Sequence, residues 1–273
     1  MLEQIIYKNH LNETVVFGSD GLYAFSNDLR DYTWGFEEKN NKISSFKRGV
    51  VGKSLPIIIV CNTEDEGISV RNRIFETMEK DVLAKKHGTI IIGDYYLKCY
   101  ITGSTKEEYF YTRQYMKITL TVSTDYPYWI KETMAAFNMT SSGGSEYLDF
   151  PYDFPYDFKE DSRWNHVMNT NFVDTDFRIR IYGAVAKPKI YIADHAYSVD
   201  VVVEEHEYLT IDSLEKTIYI TRKNGDIVNC FNERDRESYV FQKIPVGKSE
   251  VSCEGQMKFD VTLIEERSEP RWT

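Results

Sequence analysis

The sequence has no long apolar run and no secretory leader. Its longest plain apolar stretch is IIIVC at residues 57–61, far short of the roughly 20 residues that a membrane-spanning helix needs. Residues 1–6 lack the basic region and the following apolar stretch of a signal peptide. We therefore expect a protein that is made in a cytoplasm and is not inserted into a membrane.

Positive charge is scarce as well. With 33 Lys and Arg against 43 Asp and Glu, the chain has a formal net charge of −10 at pH 7 and a sequence pI near 5.1. Nucleic acids and anionic membranes are bound through Lys and Arg clusters that neutralise phosphates. The charge balance therefore argues against specific nucleic-acid binding and against an acidic membrane as the main partner.

Histidine and cysteine, of which the chain has five and four, are few and widely spaced. No two cysteines form a C-x-x-C pair, and although their even number leaves disulfides open, we expect free, buried thiols at Cys61, Cys99, Cys230 and Cys253. His195 and His206 could approach across a hairpin, but no carboxylate or cysteine stands beside them at ligand spacing. The sequence predicts no metal and no cofactor.

Catalytic motifs are missing too. Gly49 and Gly52 stand at the wrong spacing before Lys53 for a phosphate-binding loop, and no G-x-S-x-G nucleophile turn occurs. Carboxylates and aromatic side chains share residues 152–164, which in principle suits a glycosidase groove, but a solvated acidic linker is the simpler interpretation. We expect no enzymatic activity.

Aromatic and β-branched residues, in contrast, are abundant. The chain has 20 Tyr and 15 Phe, which together with Ile, Val and Thr favour pleated, half-buried surfaces. Alternating runs occur at residues 115–122, 176–183 and 257–263, and Asn224-Gly225 between two such runs is a strong hairpin signal. The fold class predicted is mainly β, with the strand spacing of a β-sandwich in the second half.

One helix is predicted between Ser69 and Lys86. Ser69 is the expected N-cap, and KKHG at residues 85–88 is the expected end. Apolar residues recur at helical spacing at Val70, Ile74, Phe75, Met78, Val82 and Leu83. We interpret this stripe as a helix packed on a sheet, with a partner-binding groove as the alternative.

Length and composition favour two domains. The first series of strands ends between Asp125 and Phe137, and SSGGS at residues 141–145 has the composition of a flexible linker. We expect a first domain over residues 1–137, a linker or crossover over 138–160, and a second domain over 161–273.

Aromatic segments supply the candidates for contacts with other chains. The tandem FPYDFPYDF at residues 150–158 is expected to be extended because of its prolines, so that its phenylalanines point the same way. Local packing is the favoured interpretation of this tandem, and partner binding is the alternative. The candidate interface residues in these segments are Phe150, Phe154 and Phe158, with Tyr109, Phe110 and Tyr111 on a possible edge strand at residues 107–111.

The last residues form a third candidate. An alternating strand runs into charged residues that include Arg267, then Pro270, and then Trp272 one position from the end. A tryptophan carries roughly 200 Å² of mostly apolar surface, which is costly to leave in water. We therefore expect this segment to be docked, either on its own domain or on a partner.

Several short motifs occur in an order that resembles phage distal tail proteins, the Dit family of siphovirus tails. They are DYTWG at residues 31–35, the FPYD tandem, YGAVAKPKI at 182–190, NCFN at 229–232, KIPVG at 243–247 and ERSEPRW at 266–272. Ala184 and Ala186 depart slightly from the more usual Gly-Pro pattern of the third motif. Each motif is weak alone, and their shared order along the full length makes the resemblance specific.

This resemblance implies a structural virion protein. Its N-terminal part would be a β-sandwich belt domain with one α-helix that assembles into a six-subunit ring, and its C-terminal part a galectin-like β-sandwich. The implied partners are further copies of the chain, the major tail tube protein, the tail-associated hub protein of the baseplate and, in some phages, receptor-binding proteins. The implied location is the virion tail tip, after assembly in the cytoplasm of a bacterial host. The alternative function is a carbohydrate-binding or adhesion module, with glycan held on exposed aromatic side chains of the second domain.

Overall fold

The computed structural model describes residues 4–108, 114–139 and 165–272. Within these ranges the chain forms 21 strands, one α-helix and one short 3-10 helix, so the predicted mainly β fold class is confirmed. Two compact units are present, one made of Met1–Lys131 with Glu266–Thr273 and one made of Glu132–Glu265. We call them unit 1 and unit 2.

Unit 1 is a β-sandwich with a helix. One sheet has the order β2-β1-β7-β8-β10 and the other the order β3-β6-β9-β8, because the long strand β8 pairs first with β7 and then with β9. Alternating side chains of both sheets, among them Tyr7, Leu55 and Trp129, fill a buried core between them. The elements are β1 (Ile5–Lys8), β2 (Thr14–Phe17), β3 (Leu22–Ala24), β4 (Gly35–Lys39), β5 (Lys42–Lys47), β6 (Val51–Val60), α1 (Glu64–Ala84), β7 (Gly88–Ile92), β8 (Tyr95–Glu108), β9 (Tyr115–Thr124) and the start of β10 (Trp129–Met139).

Unit 2 is a second β-sandwich. Its larger sheet has the order β19-β18-β17-β12-β21-β10, and its smaller sheet the order β11-β20-β14-β15. Its core includes Phe177 and Phe259, and Phe137 stacks on Phe259 with ring centroids 5.1 Å apart. The elements are β11 (His166–Asn169), β12 (Asp176–Tyr182), β13 (Val185–Ala186), β14 (Lys189–Ile192), β15 (His195–Ser198), β16 (Val202–Val203), β17 (Tyr208–Asp212), β18 (Thr217–Thr221), β19 (Ile227–Asn229), the 3-10 helix (Phe231–Glu233), β20 (Gly247–Cys253) and β21 (Met257–Arg267).

The change from one unit to the other and the predicted hairpin both lie among the described residues. The two units change over between Lys131 and Glu132, and the segment that starts at Glu266 belongs to unit 1. The predicted hairpin is present as β18–β19, and Gly225 in its loop has a positive φ of 88°. The division into residues 1–137, 138–160 and 161–273 stays a prediction, and residues 140–160 lie outside the described residues.

The helix begins six residues before the predicted start. Its N-cap is Thr63, whose side chain accepts from the backbone N–H of Glu66 while the Glu66 side chain accepts from the Thr63 backbone, which is a capping box. The predicted Ser69 cap was wrong, because the capping box satisfies two backbone donors earlier in the chain. The predicted end is confirmed, with Lys85 in the left-handed conformation as C-cap.

The apolar stripe of α1 is only partly buried. Ile74 and Met78 lie in the core of unit 1, but Phe75, Val82 and Leu83 are exposed. The helix therefore packs on the sheets, as expected, along a narrower face than the stripe indicated.

A buried carboxylate ties α1 to the first strand. Asp81 is fully buried; one of its oxygens accepts the Tyr7 hydroxyl at 2.5 Å, and the other accepts the backbone N–H of His10 at 2.9 Å and contacts the His10 ring at 2.5 Å. Burial, and second the bond to Asp81, raises the pKa of Tyr7 well above its ordinary value. A Cβ on Gly88 would lie 2.2 Å from Asp81 and 2.5 Å from the Tyr7 hydroxyl, so only glycine fits beside this cluster.

All four cysteines are free thiols, as the sequence predicts, but only Cys99 and Cys230 are buried, whereas Cys61 and Cys253 are partly exposed. Burial raises the pKa of the Cys99 and Cys253 thiols, so both behave as small apolar side chains. None of the helices in the described part of the chain has the length and hydropathy that crossing a lipid bilayer requires.

Candidate assembly interface

The structure describes only part of the predicted interface residues. Tyr109, Phe110 and Tyr111 lie outside the described residues, and so do Phe150, Phe154 and Phe158. Arg267 and Trp272 are described, and both lie in residues 266–273, which belong to unit 1. A second exposed surface, next to these two residues, is formed by strands β4 and β5, of which β4 begins at the last residue of the DYTWG motif.

Strands β4 and β5 form a hairpin that pairs with no other described strand. The turn consists of Asn40 and Asn41, both with φ of 55°, which is the two-residue geometry that matches strand twist and that asparagine tolerates. Every residue of both strands is exposed, so the hairpin stands clear of the core of unit 1.

Polar contacts hold one face of this hairpin together. Lys47 donates to Glu37 at 2.8 Å, and the Ser45 hydroxyl donates to the other Glu37 oxygen at 3.1 Å. The bond from Lys47, and second the bond from Ser45, lowers the pKa of Glu37 below its ordinary value. These contacts are exposed and each adds little to stability, but together they keep the two strands in register.

Apolar side chains cover the other face. Phe36 and Phe46 are opposite each other in the strand register and therefore share one face, and they are 57% and 63% exposed. Ile43 is 53% exposed. An isolated two-stranded hairpin is marginally stable in water, and large apolar side chains on it are an exposed patch of the kind that marks an interaction site.

The chain that leads into the hairpin is fixed to the core of unit 1. Leu29 is fully buried, and the ammonium of the buried Lys53 donates to the carbonyls of Asp28 and Asp31. Burial lowers the pKa of Lys53. The Asp28 carboxylate in turn accepts the backbone N–H of Ser54 at 2.6 Å. The loop before the hairpin is thus attached to β6 by both side chain and backbone.

An aromatic cluster surrounds the base of the hairpin. Trp34 makes edge contacts with Phe46 at 6.5 Å and with Tyr128 at 6.2 Å between ring centroids. The Arg48 guanidinium lies over both Trp34 and Tyr128, at 5.4 and 4.8 Å from their centroids. Trp34 and Arg48 directly flank the hairpin, so this cluster joins its two ends to the end of the β9–β10 connection.

Residues 266–272, which we call the returning segment, lie against the same base. Arg30 donates to the carbonyl of Pro270 at 2.7 Å and its guanidinium lies 4.1 Å from the centroid of Trp272. Pro270 is buried, whereas Trp272 is 75% exposed and its indole N–H donates to Glu269 at 2.7 Å. The segment is therefore docked through Pro270, as expected. The ring of Trp272, which we expected to be covered, stays largely exposed within unit 1.

Two further contacts complete the attachment of this segment. The Tyr126 hydroxyl donates to Glu266, and Arg48 reaches the Ser268 hydroxyl at 3.4 Å. Arg267, a predicted interface residue, is half-buried and donates to the Glu269 carbonyl at 3.2 Å, which holds the bend of the segment itself. Among the described residues, no cluster of three or more His, Cys, Asp or Glu side chains has the geometry to hold a metal ion.

No family model matches the sequence, and a search of curated proteins gave no match. Solved structures do match. The crystal structure of the SPP1 Dit protein aligns with a TM-score of 0.59 at 11% identity, over 98% of this chain and 100% of that chain. Two structures of the phage P2 baseplate in its activated conformation, with Ca and with Sr, align with TM-scores of 0.58 at 14% identity, over 99% of this chain.

The chain has the fold of a phage distal tail protein. The mainly β fold that the resemblance implies is therefore confirmed. The SPP1 Dit protein is described as a paradigm of the hub adsorption apparatus in phages that infect Gram-positive hosts.

Proposed function

We propose that this chain is a structural protein of a phage tail tip, without enzymatic activity, that assembles into a hexameric ring. The ring would join the major tail tube protein to the tail-associated hub protein and the baseplate, which in some phages carries receptor-binding proteins. Its location would be the virion tail tip, after assembly in the bacterial cytoplasm. The distal tail fold supports the general role, and the exposed β4–β5 hairpin supports self-assembly.

The hairpin is the single observation that carries the proposal. Fully burying a phenylalanine or isoleucine side chain contributes about 1.5–3 kcal/mol, so covering the exposed parts of Phe36, Ile43 and Phe46 would contribute roughly 3–5 kcal/mol per contact. An unpaired pair of strands also presents free backbone groups that a strand of another copy can complete. A second copy of the chain could therefore both cover the apolar side chains of the hairpin and pair with its free backbone groups.

A hexameric ring requires one particular kind of contact. The exposed hairpin would have to meet a different surface on the neighbour, because pairing of two hairpins with each other would be an isologous contact that closes at two copies. Such heterologous contacts form closed rings when the rotation between copies closes, and filaments when it does not. The charge of −10 per chain favours discrete, soluble particles over unlimited association.

The experiment is sedimentation velocity over a range of concentrations, with and without purified tube or hub protein. The expected mass of the assembled species is six times the 32.0 kDa of one chain. The double variant Phe36→Ser with Phe46→Ser should weaken each contact by roughly 2–4 kcal/mol, or about 30- to 900-fold in its dissociation constant.

A matched control comes from unit 2, where Phe172 is 69% exposed. Phe172→Ser removes an equally exposed ring but should leave assembly unchanged, because the proposed contact lies in unit 1. A wild-type chain that stays monomeric at every concentration, alone and with tube or hub protein, contradicts the proposal. Equal losses of assembly in the hairpin variant and in Phe172→Ser contradict the assigned surface.

A further inference from the structure

The residues at the base of the hairpin contact the returning segment directly. Arg30 precedes β4 and binds Pro270 and Trp272, while Arg48 follows β5 and reaches Ser268. Both ends of the hairpin are therefore held by one short stretch of chain that is 240 positions away from Arg30 in sequence. No strand pairing among the described residues provides an equivalent support, because β4 and β5 pair only with each other.

The contacts are suited to positioning. Arginine offers a flat guanidinium that stacks on an aromatic face while its N–H groups donate in plane, and Arg30 makes both contacts with the returning segment at once. Pro270 has a fixed φ and a buried ring, so the accepting carbonyl is held in place. The Glu269 side chain accepts a hydrogen bond from the Trp272 indole, and the Glu269 carbonyl accepts one from Arg267. These two bonds fix the bend that presents Pro270 to Arg30.

We infer that residues 268–272 act as a clamp that sets the direction of the β4–β5 hairpin, with Arg30 and Arg48 as positioning residues for the contact between copies. This inference rests on the proposed self-assembly for its function, but the clamp itself is a property of the single chain. A hairpin held in one direction loses little conformational freedom when it meets a neighbour, and preorganisation of this kind strengthens association without any new contact. Removing the clamp should therefore weaken assembly even though every apolar side chain of the hairpin is kept.

Hydrogen–deuterium exchange on the full chain, at concentrations where it is monomeric, tests the clamp. Truncation after Arg267 removes the charge-assisted hydrogen bond and the cation–π contact of Arg30. Their loss should speed amide exchange across residues 28–48 by roughly 3- to 30-fold. Arg30→Ala should have the same effect without shortening the chain, which keeps the test valid if the truncated protein folds poorly. Trp272→Ala should have a smaller effect, and Trp272→Tyr, which keeps an aromatic face, should restore slow exchange.

Arg73→Ala is the matched control, because it removes an exposed arginine of α1 from the same unit. Exchange across residues 28–48 should not change in this variant. The clamp is overturned if Arg30→Ala and the truncation leave exchange in residues 28–48 at the wild-type rate while both proteins are folded. It is also overturned if exchange rises equally throughout unit 1, since that result indicates general destabilisation.

The dissociation constant of the assembled species separates the two proposals. If the wild-type chain assembles and Arg30→Ala both loosens the hairpin and raises the dissociation constant, the clamp and its role in assembly are supported. If Arg30→Ala loosens the hairpin but the wild-type chain does not assemble under any condition, the clamp stands as a feature of the monomer and its role in assembly fails together with the proposed function. If the hairpin loosens and the dissociation constant is unchanged, the role of the clamp is overturned and the proposed function is not.

Discussion

The buried Asp81 cluster gives the sharpest test of how unit 1 is held together. Asp81→Asn keeps the size of the side chain but replaces one accepting oxygen by an amide that can only donate. Because Tyr7 and His10 both direct donors at this side chain, one of them loses its acceptor. A buried polar group left without its partner costs about 1–3 kcal/mol, and an ionised group costs more. We therefore expect a loss of about 2–4 kcal/mol.

The loss should appear as a lower melting temperature. A domain of this size changes its Tm by roughly 2–4 °C per kcal/mol, so Asp81→Asn should melt about 4–16 °C lower by scanning calorimetry. Tyr7→Phe should cost about 1–3 kcal/mol, and the double variant should cost less than the sum, because both changes remove the same bond. Glu76→Gln, an exposed change on the same helix, should stay within about 0.5 kcal/mol of wild type.

Two results refute this reasoning. One is an Asp81→Asn protein that melts at the wild-type temperature. The other is a double variant whose loss equals the sum of the single losses, which would mean that Asp81 and Tyr7 stabilise the fold independently of each other.

Three further changes have defined outcomes. Thr63→Ala removes the helix cap and should cost about 0.5–2 kcal/mol in urea unfolding, and a loss below that range contradicts the capping assignment. Gly21→Ala should destabilise more strongly, because Gly21 has a φ of +74° and a Cβ there would lie 2.2 Å from the carbonyl oxygen of Val60; a wild-type Tm is the contrary outcome. Burial, and second a hydrogen bond to a carboxylate, raises the pKa of Tyr182 to about 12, so its contribution to stability is complete below about pH 10 and is lost as the pH rises towards 12. Tyr182→Phe should therefore flatten the alkaline unfolding profile followed by circular dichroism, and superimposable profiles would contradict the assignment.

Strands and helices that bury one of their faces in the core could be predicted from the sequence. The alternation at residues 115–122 predicts a half-buried strand, and β9 is one. The helix was found from its periodicity, but its start was misplaced, since periodicity reports the buried stripe and not the capping box of Thr63 and Glu66. The stripe also overstated burial, because Phe75 and Leu83 are apolar residues that the core does not cover.

The β4–β5 hairpin was missed for a related reason. It has no buried face, so its strands do not show the pattern of a strand packed on a core. The available signal was Asn40-Asn41 between two short runs with Phe and Ile, because two successive asparagines tolerate the left-handed conformation that a two-residue hairpin turn needs.

The docking of the returning segment could be predicted, but the residues that receive it could not. The large apolar surface of Trp272 indicated docking, but the residues that receive the segment, Arg30 and Arg48, are far away in the chain. Neither arginine belongs to a motif with a chemical meaning of its own. Their contacts are seen only when the fold brings both ends of the hairpin to residues 268–272.

Negative-stain electron microscopy of the purified chain tests the central claim most directly. The account predicts annular particles with six-fold symmetry in the wild-type protein, and their loss in Phe36→Ser with Phe46→Ser under identical conditions. Fields that contain only single chains, both alone and after addition of tube or hub protein, would contradict it, as would rings that persist in the hairpin variant.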